Sequence, residues 1–153
     1  MQVVTKGEMK LVGIRLVCST LKEYQEKIPA VVETMHNRLD EIENKTNPDV
    51  FIGIHKVDAT EEEDGYWKCV EVTEFNDVPN GMDAIVIPAQ EYAAISHDGI
   101  KWEIHQAYGK MHQQIEDSEY ERIYNAWTLE TFDQRKQEEE IIRCTLYDPI
   151  RPS

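Results

Sequence analysis

The chain has 153 residues, of which 30 are acidic and 16 are Lys or Arg, for a formal net charge of −14. That balance opposes general attraction to nucleic acid or to an anionic membrane, so neither is expected as a direct partner. With 41% hydrophobic residues the sequence is too apolar for a disordered chain, and its length suits one domain spanning residues 1–153.

Met1–Leu11 lacks the long apolar core of a leader, and no stretch approaches about 18 uninterrupted apolar residues. A cytoplasmic, unprocessed protein is expected. Cys18, Cys69 and Cys144 are far apart and form no Cys-x-x-Cys pair, which indicates buried free thiols rather than a disulfide framework.

Along the chain, Val12, Ile14, Leu16 and Cys18 alternate with Leu11, Gly13, Arg15 and Val17, and this period of two predicts a strand from Lys10 to Cys18. Ser19 or Thr20 then caps a helix carrying Leu21, Tyr24, Ile28, Val32, Met35, Leu39 and Ile42 on one stripe. Pro29 should kink or divide that helix near Ile28. Strands follow at Val50–Val57 and Tyr66–Phe75, joined as a hairpin across the acidic Glu61–Asp64 segment with Gly65 as its turn residue. Asn80 and Gly81 are suited to positive backbone angles in the next turn. An apolar run from Asp83 to Ile87 and a strand from Glu91 to Ser96 lead into a helix over about Lys101–Ile115. Two last strands, Ala126–Phe132 and Ile141–Tyr147, flank the polar segment Asp133–Glu140.

The order strand, helix, strand, strand thus occurs twice, in halves of about residues 3–76 and 84–150. The implied fold is α+β: pseudo-duplicated modules with helices on one face of antiparallel sheet and a cleft between the halves.

The chain has no Gly-x-Gly-x-x-Gly, Walker loop, Gly-x-Ser-x-Gly or His-Glu-x-x-His motif. Nucleotide binding and serine hydrolysis are therefore unsupported, and no cofactor or metal is expected. His105 falls at the edge of the apolar stripe of the second helix, where a packing role is the simpler expectation.

Aromatic residues and two glutamates carry the functional expectation. In the third strand Tyr66, Lys68, Val70, Val72 and Glu74 share one side, and Trp67, Cys69, Glu71, Thr73 and Phe75 share the other. Glu130 shares a side with Phe132. Tyr66, Trp67, Glu71, Tyr92, Trp102, Tyr108, Trp127 and Glu130 are the candidate ligand-binding residues, with Glu71 or Glu130 as the carboxylate anchor. Rings beside an inward carboxylate suit a flat apolar ligand with positive charge.

Val78-Pro79-Asn80-Gly81-Met82, Ile87-Pro88-Ala89-Gln90-Glu91-Tyr92-Ala93 and His97-Asp98-Gly99 together resemble the effector-binding domain family called GyrI-like or AraC-type. Phe51-Ile52-Gly53-Ile54, Tyr66–Val72, Leu129-Glu130-Thr131-Phe132 and Tyr147-Asp148-Pro149-Ile150 extend the resemblance over roughly residues 3 to 151. It implies two strand-helix-strand-strand modules around a central ligand cleft, and hydrophobic, often cationic, small-molecule ligands. Relatives with a glutamate four residues before the C-terminal proline differ from this chain, which has Thr145 before Pro149.

The resemblance implies a small-molecule-binding protein acting as a sensor or sequestering factor. It is expected to stand alone, without a DNA-binding unit before Val3 or after Arg151. Two other functions follow from the same resemblance. One is hydrolysis of reactive small molecules, with Glu71 or Glu130 activating water and Tyr92 or Tyr108 donating a proton. The other is capture of a protein partner, including gyrase inhibition, by the acidic surface.

Overall fold

The computed structural model describes residues 1–138 and 140–153, with the backbone alone at Trp102. Among the described residues nine strands and two helices carry the fold: β1 (Gln2–Lys6), β2 (Met9–Leu16), α1 (Leu21–Arg38), β3 (Val50–Lys56), β4 (Tyr66–Val72), β5 (Asp83–Ile87), β6 (Gln90–Ile100), α2 (Ile104–Glu116), β7 (Tyr120–Arg122), β8 (Trp127–Asp133) and β9 (Ile141–Pro152). The main path across the sheet runs β1-β6-β9-β8-β3-β4-β2-β5, every pairing on it is antiparallel, and β7 joins the far end of β9.

This order is a duplicated one. The first module contributes β2-β4-β3 and the second β6-β9-β8, and the two meet along the β3/β8 seam, where Gly53 lies opposite Glu130. β1 and β5 are end strands, and each completes the module to which it does not belong in sequence. The α+β duplication expected from the sequence is therefore present.

β1 reaches β2 through Gly7 and Glu8 alone, although the two lie toward opposite ends of the strand order. Three Cα steps span at most about 11 Å, so the sheet must curl until its two ends approach each other. The inside of the curl is packed by Leu11, Ile52, Ile54, Trp67, Cys69, Ile87, Tyr92, Trp127 and Leu129. Both helices cover the other face. Met35 and Ile42 pack with Val12, Phe51 and Val70 under α1, while Met111 and Ile115 pack with Phe132, Leu146 and Ile150 under α2.

Local chemistry sets the element ends. The Thr20 hydroxyl accepts the Glu23 amide at 3.1 Å, closing the N-terminus of α1. The helix runs uninterrupted through Pro29 and stops at Arg38, with Leu39–Glu41 continuing as a 3-10 turn. The expected division near Ile28 is absent, because packing of the flanking stripe outweighs the one backbone bond that proline removes. Gly65 and Gly81 adopt positive φ (114° and 82°), whereas in the turn before β5 it is Asp77, not Asn80, that does so. β6 extends to Ile100, so α2 begins three residues later than the periodicity suggested, after a 3-10 turn at Lys101–Glu103. Gln134–Lys136, inside the segment read as a polar connection, forms another such turn.

Candidate functional site

A cavity of about 590 Å³ opens on the helix face above the β3/β8 seam, between α1 and the start of α2. Ile28, Pro29 and Val32 of α1 form one wall, with Ile104, Ile141 and Ile142 opposite. Ile28 and Val32 belong to the apolar stripe of α1 but are only half-buried, since both border the cavity, Val32 while also packing against the core cluster under α1. The floor consists of His55, Tyr66, Lys68, Glu130 and Phe132, and Lys101 and Glu138 stand with Gln134 and Gln137 at the margin.

The floor is organised around a missing side chain. Gly53 pairs with Lys68 on β4 and with Glu130 on β8, so these two charged residues flank it in one row across three strands. A Cβ at Gly53 would come within 2.0 Å of the Tyr66 hydroxyl and 3.0 Å of Glu130 Oε1. The glycine thus leaves room for Tyr66 to donate its hydroxyl to Glu130 Oε1 at 2.8 Å. Tyr108, from α2, donates to Glu130 Oε2. Glu130 is 7% exposed, and the paired hydroxyls satisfy one acceptor site on each oxygen while leaving another free. Burial, and then the adjacent Glu130 charge, push both tyrosines well above the usual phenol range, so they remain hydroxyl donors at neutral pH.

Lys68 is 3% exposed. Its side chain crosses the glycine gap, placing Nζ 3.7 Å from the centre of the Phe132 ring and 5.3 Å from that of Tyr66. Burial brings its pKa down from 10.5 to about 8, against the opposing pull of Glu130. His55 packs beside Tyr66 and Tyr108, and its buried Nδ1 has no hydrogen-bond partner among the described residues. The floor therefore holds a fixed carboxylate, an ammonium solvated by ring faces, and an unused imidazole nitrogen.

Of the residues proposed from the sequence, Tyr66, Tyr108 and Glu130 come together here. The side chain of Trp102 lies outside the described residues. Trp67, Tyr92 and Trp127 belong instead to the cluster inside the curl. There Trp67 donates to Asp83 at 2.9 Å and meets Trp127 edge to face, and Tyr92 meets Tyr147 in the same way. Glu71 lines a smaller hollow of about 190 Å³ with Lys6, Thr46 and Asn47; it is separated from Glu130 by the thickness of the sheet, because odd and even positions of β4 face opposite ways. His105 is exposed rather than packed. Lys68, Gly53 and His55 were not singled out. The signal for Lys68 was its place two residues after Tyr66, and for Gly53 a glycine inside an otherwise β-branched and aromatic strand.

A second polar group secures α2 to the sheet. Asp148, 1% exposed, accepts from Arg122 at 2.7 Å and lies 3.2 Å from His112. Burial and the neighbouring Arg122 charge lower the His112 pKa, with Asp148 opposing. Among the described residues no group of three or more His, Cys, Asp or Glu could hold a metal ion, and no helix is long and apolar enough to cross a membrane.

Residues 1–151 match the family described as the GyrI-like small molecule binding domain. No curated protein matches the sequence. Among solved structures the fold is similar to EcmrR in its DNA complex (TM-score 0.73, 17% identity), with 99% of this chain covered. The chain spans only 57% of that protein. It is also similar to SAV2435 bound to tetraphenylphosphonium (TM-score 0.74, 13% identity, 98% of this chain and 93% of that one). A third relative is a putative bacterial transcription regulation protein from Staphylococcus aureus MU50 (TM-score 0.67, 14% identity, 98% and 97% covered). Identities this low establish a shared fold.

Proposed function

We propose that this chain, which belongs to the GyrI-like small molecule binding domain family, binds a flat, mainly apolar small molecule above the β3/β8 seam. Its role is that of a sensor or sequestering factor, and Glu130 receives the positively charged or proton-donating group of the ligand. The observation that carries this reading is a nearly buried carboxylate, held by Tyr66 and Tyr108 at the floor of an apolar-walled cavity. A ligand would bury its apolar surface against Ile28, Val32 and Ile142, and its cationic part would meet the Glu130 carboxylate. The lipophilic cation in the SAV2435 structure is the kind of molecule such a site suits.

Hydrolysis is the weaker reading, because both oxygens of Glu130 already accept hydroxyl protons. That arrangement steadies a negative charge more than it frees a base to take a proton from water.

Titration of intrinsic fluorescence with tetraphenylphosphonium, and with a neutral compound of matched shape, tests the proposal. Glu130→Gln should weaken the cation about tenfold or more, since hydrogen bonds and contacts to a charged group contribute about 1.5–3 kcal/mol, and should change the neutral compound little. Equal loss for both would show that Glu130 does not choose the charge. Turnover of an electrophilic ligand, seen by mass spectrometry and absent in Glu130→Gln, would replace binding with hydrolysis.

A further inference from the structure

We propose that Lys68 makes the cavity a receptor for amphoteric ligands: flat, largely apolar molecules bearing an anionic oxygen group at one edge and an amine at the other. The anion would meet the Lys68 ammonium and the amine Glu130. The inference rests on the cavity reading above and sharpens its ligand class.

Three observations support it. First, Lys68 lines the cavity at 3% exposure, yet among the described residues its ammonium has only ring faces against it, the nearest at 3.7 Å. An ammonium has three donors, and Nζ is not fully enclosed, so it presents them to the cavity, where an acceptor on a ligand replaces water.

Second, Lys68 does not neutralise Glu130. Tyr66 and Tyr108 occupy the carboxylate, while Lys68 turns toward Phe132 instead of forming an ion pair with it. Two opposite charges thus share one floor uncombined.

Third, the register spaces them. Lys68 and Glu130 lie on either side of Gly53, so their backbones are two strand spacings apart, roughly 9–10 Å. The Lys68 ammonium reaches over β3 to the Phe132 ring on the strand of Glu130, so the two charged groups lie closer together than their backbones, and a fused bicyclic ring that draws Lys68 toward its far edge fits within about 590 Å³. A simple cation meets Glu130 but also the repulsion of Lys68; an amphoteric molecule satisfies both residues.

Four probes of one shape separate these cases: 6-(aminomethyl)-2-naphthoic acid, its methyl ester, 2-naphthoic acid and methyl 2-naphthoate. Calorimetric titration is performed on the unmodified protein, Lys68→Met, Lys68→Arg and Glu130→Gln, with thermal melts establishing that each variant is folded. The unmodified protein should bind the amino acid at least tenfold more tightly than the ester. Lys68→Met should reverse that order and also tighten tetraphenylphosphonium, and Lys68→Arg should retain part of the preference. An ester that binds as well as the amino acid in the unmodified protein, or a preference unchanged by Lys68→Met, overturns the role of Lys68 while leaving cation capture by Glu130 in place. Failure of all four probes and of tetraphenylphosphonium to bind would overturn the cavity reading itself.

Discussion

The two faces of the curled sheet use the same residue types for opposite ends. Inside the curl, Trp67, Trp127 and Tyr92 pack against Leu11, Ile54 and Leu129 until little surface remains. Under the helices, Tyr66 and Phe132 border open volume because the two modules bring their helices to either side of the seam without filling it. Aromatic content therefore does not mark a site in this protein. What distinguishes the cavity face is a side chain left out at Gly53 and two charges kept apart across it.

The largest expected effect tests the packed face. Tyr92 is 1% exposed, and Tyr92→Ala should cost about 3–5 kcal/mol in denaturant unfolding, the usual range for emptying an aromatic site in a core. The gentler Tyr92→Phe should leave ligand affinity unchanged; a clear loss of affinity would show that the two faces are not independent.

Gly53→Ala strikes the cavity face through its geometry. Its new methyl would overlap the Tyr66 hydroxyl, so the ring must leave Glu130, at a cost of about 1–3 kcal/mol in stability. Ligand affinity should fall together with the Tyr66–Glu130 bond, and a crystal structure or tyrosine fluorescence would report the displaced ring.

Lys68→Met should have the opposite sign at neutral pH. Burial lowers the Lys68 pKa to about 8 in the folded protein, against an ordinary 10.5, so the charged form carries its penalty at pH 7. Between about pH 8 and 10.5 the unfolded chain binds more protons than the native one, and stability of the unmodified protein gains from rising pH. The variant should therefore be more stable by up to about 3 kcal/mol at pH 7, at about 1.36 kcal/mol for each pKa unit, with the gap closing toward pH 10. A gap that is constant with pH would mean that the fold does not depress the Lys68 pKa.

The smallest effect belongs to Glu71→Gln. With its side chain on the opposite face from Glu130, it should alter neither affinity nor charge preference in fluorescence titration. Any change in charge preference would break the division between the faces.

The duplication and the seam were legible because they rest on short-range patterns, namely the alternation through Val12–Cys18 and the stripe from Tyr24 to Met35. β1 was missed. Five residues with two adjacent valines carry little pattern of their own, and their partner β6 is supplied from about ninety positions away, as in the pairing of Gln2 with Ala94. β7, at three residues, is fixed only by the end of β9. Within the site, alternation correctly grouped Tyr66 with Lys68 and Glu130 with Phe132. It also placed Trp67 and Glu71 opposite Tyr66, so one recess could not hold them all; only the register of β3 against both neighbours decides which side faces the helices. Lys68 was passed over because a strand lysine usually faces water, and nothing local reveals that Gly53 gives it somewhere to go.

The exchange of end strands between the modules bears on how the molecule is assembled. Since β1 finishes the second module and β5 the first, neither half closes its own sheet, and cutting the gene between them should yield two insoluble pieces rather than two small domains. Removing the first six residues would bare one side of β6, an open edge along which two truncated copies would pair. Synthesis from the N-terminus must also keep β1 waiting until residue 94 has emerged, so closure of the sheet belongs to the last stage of folding.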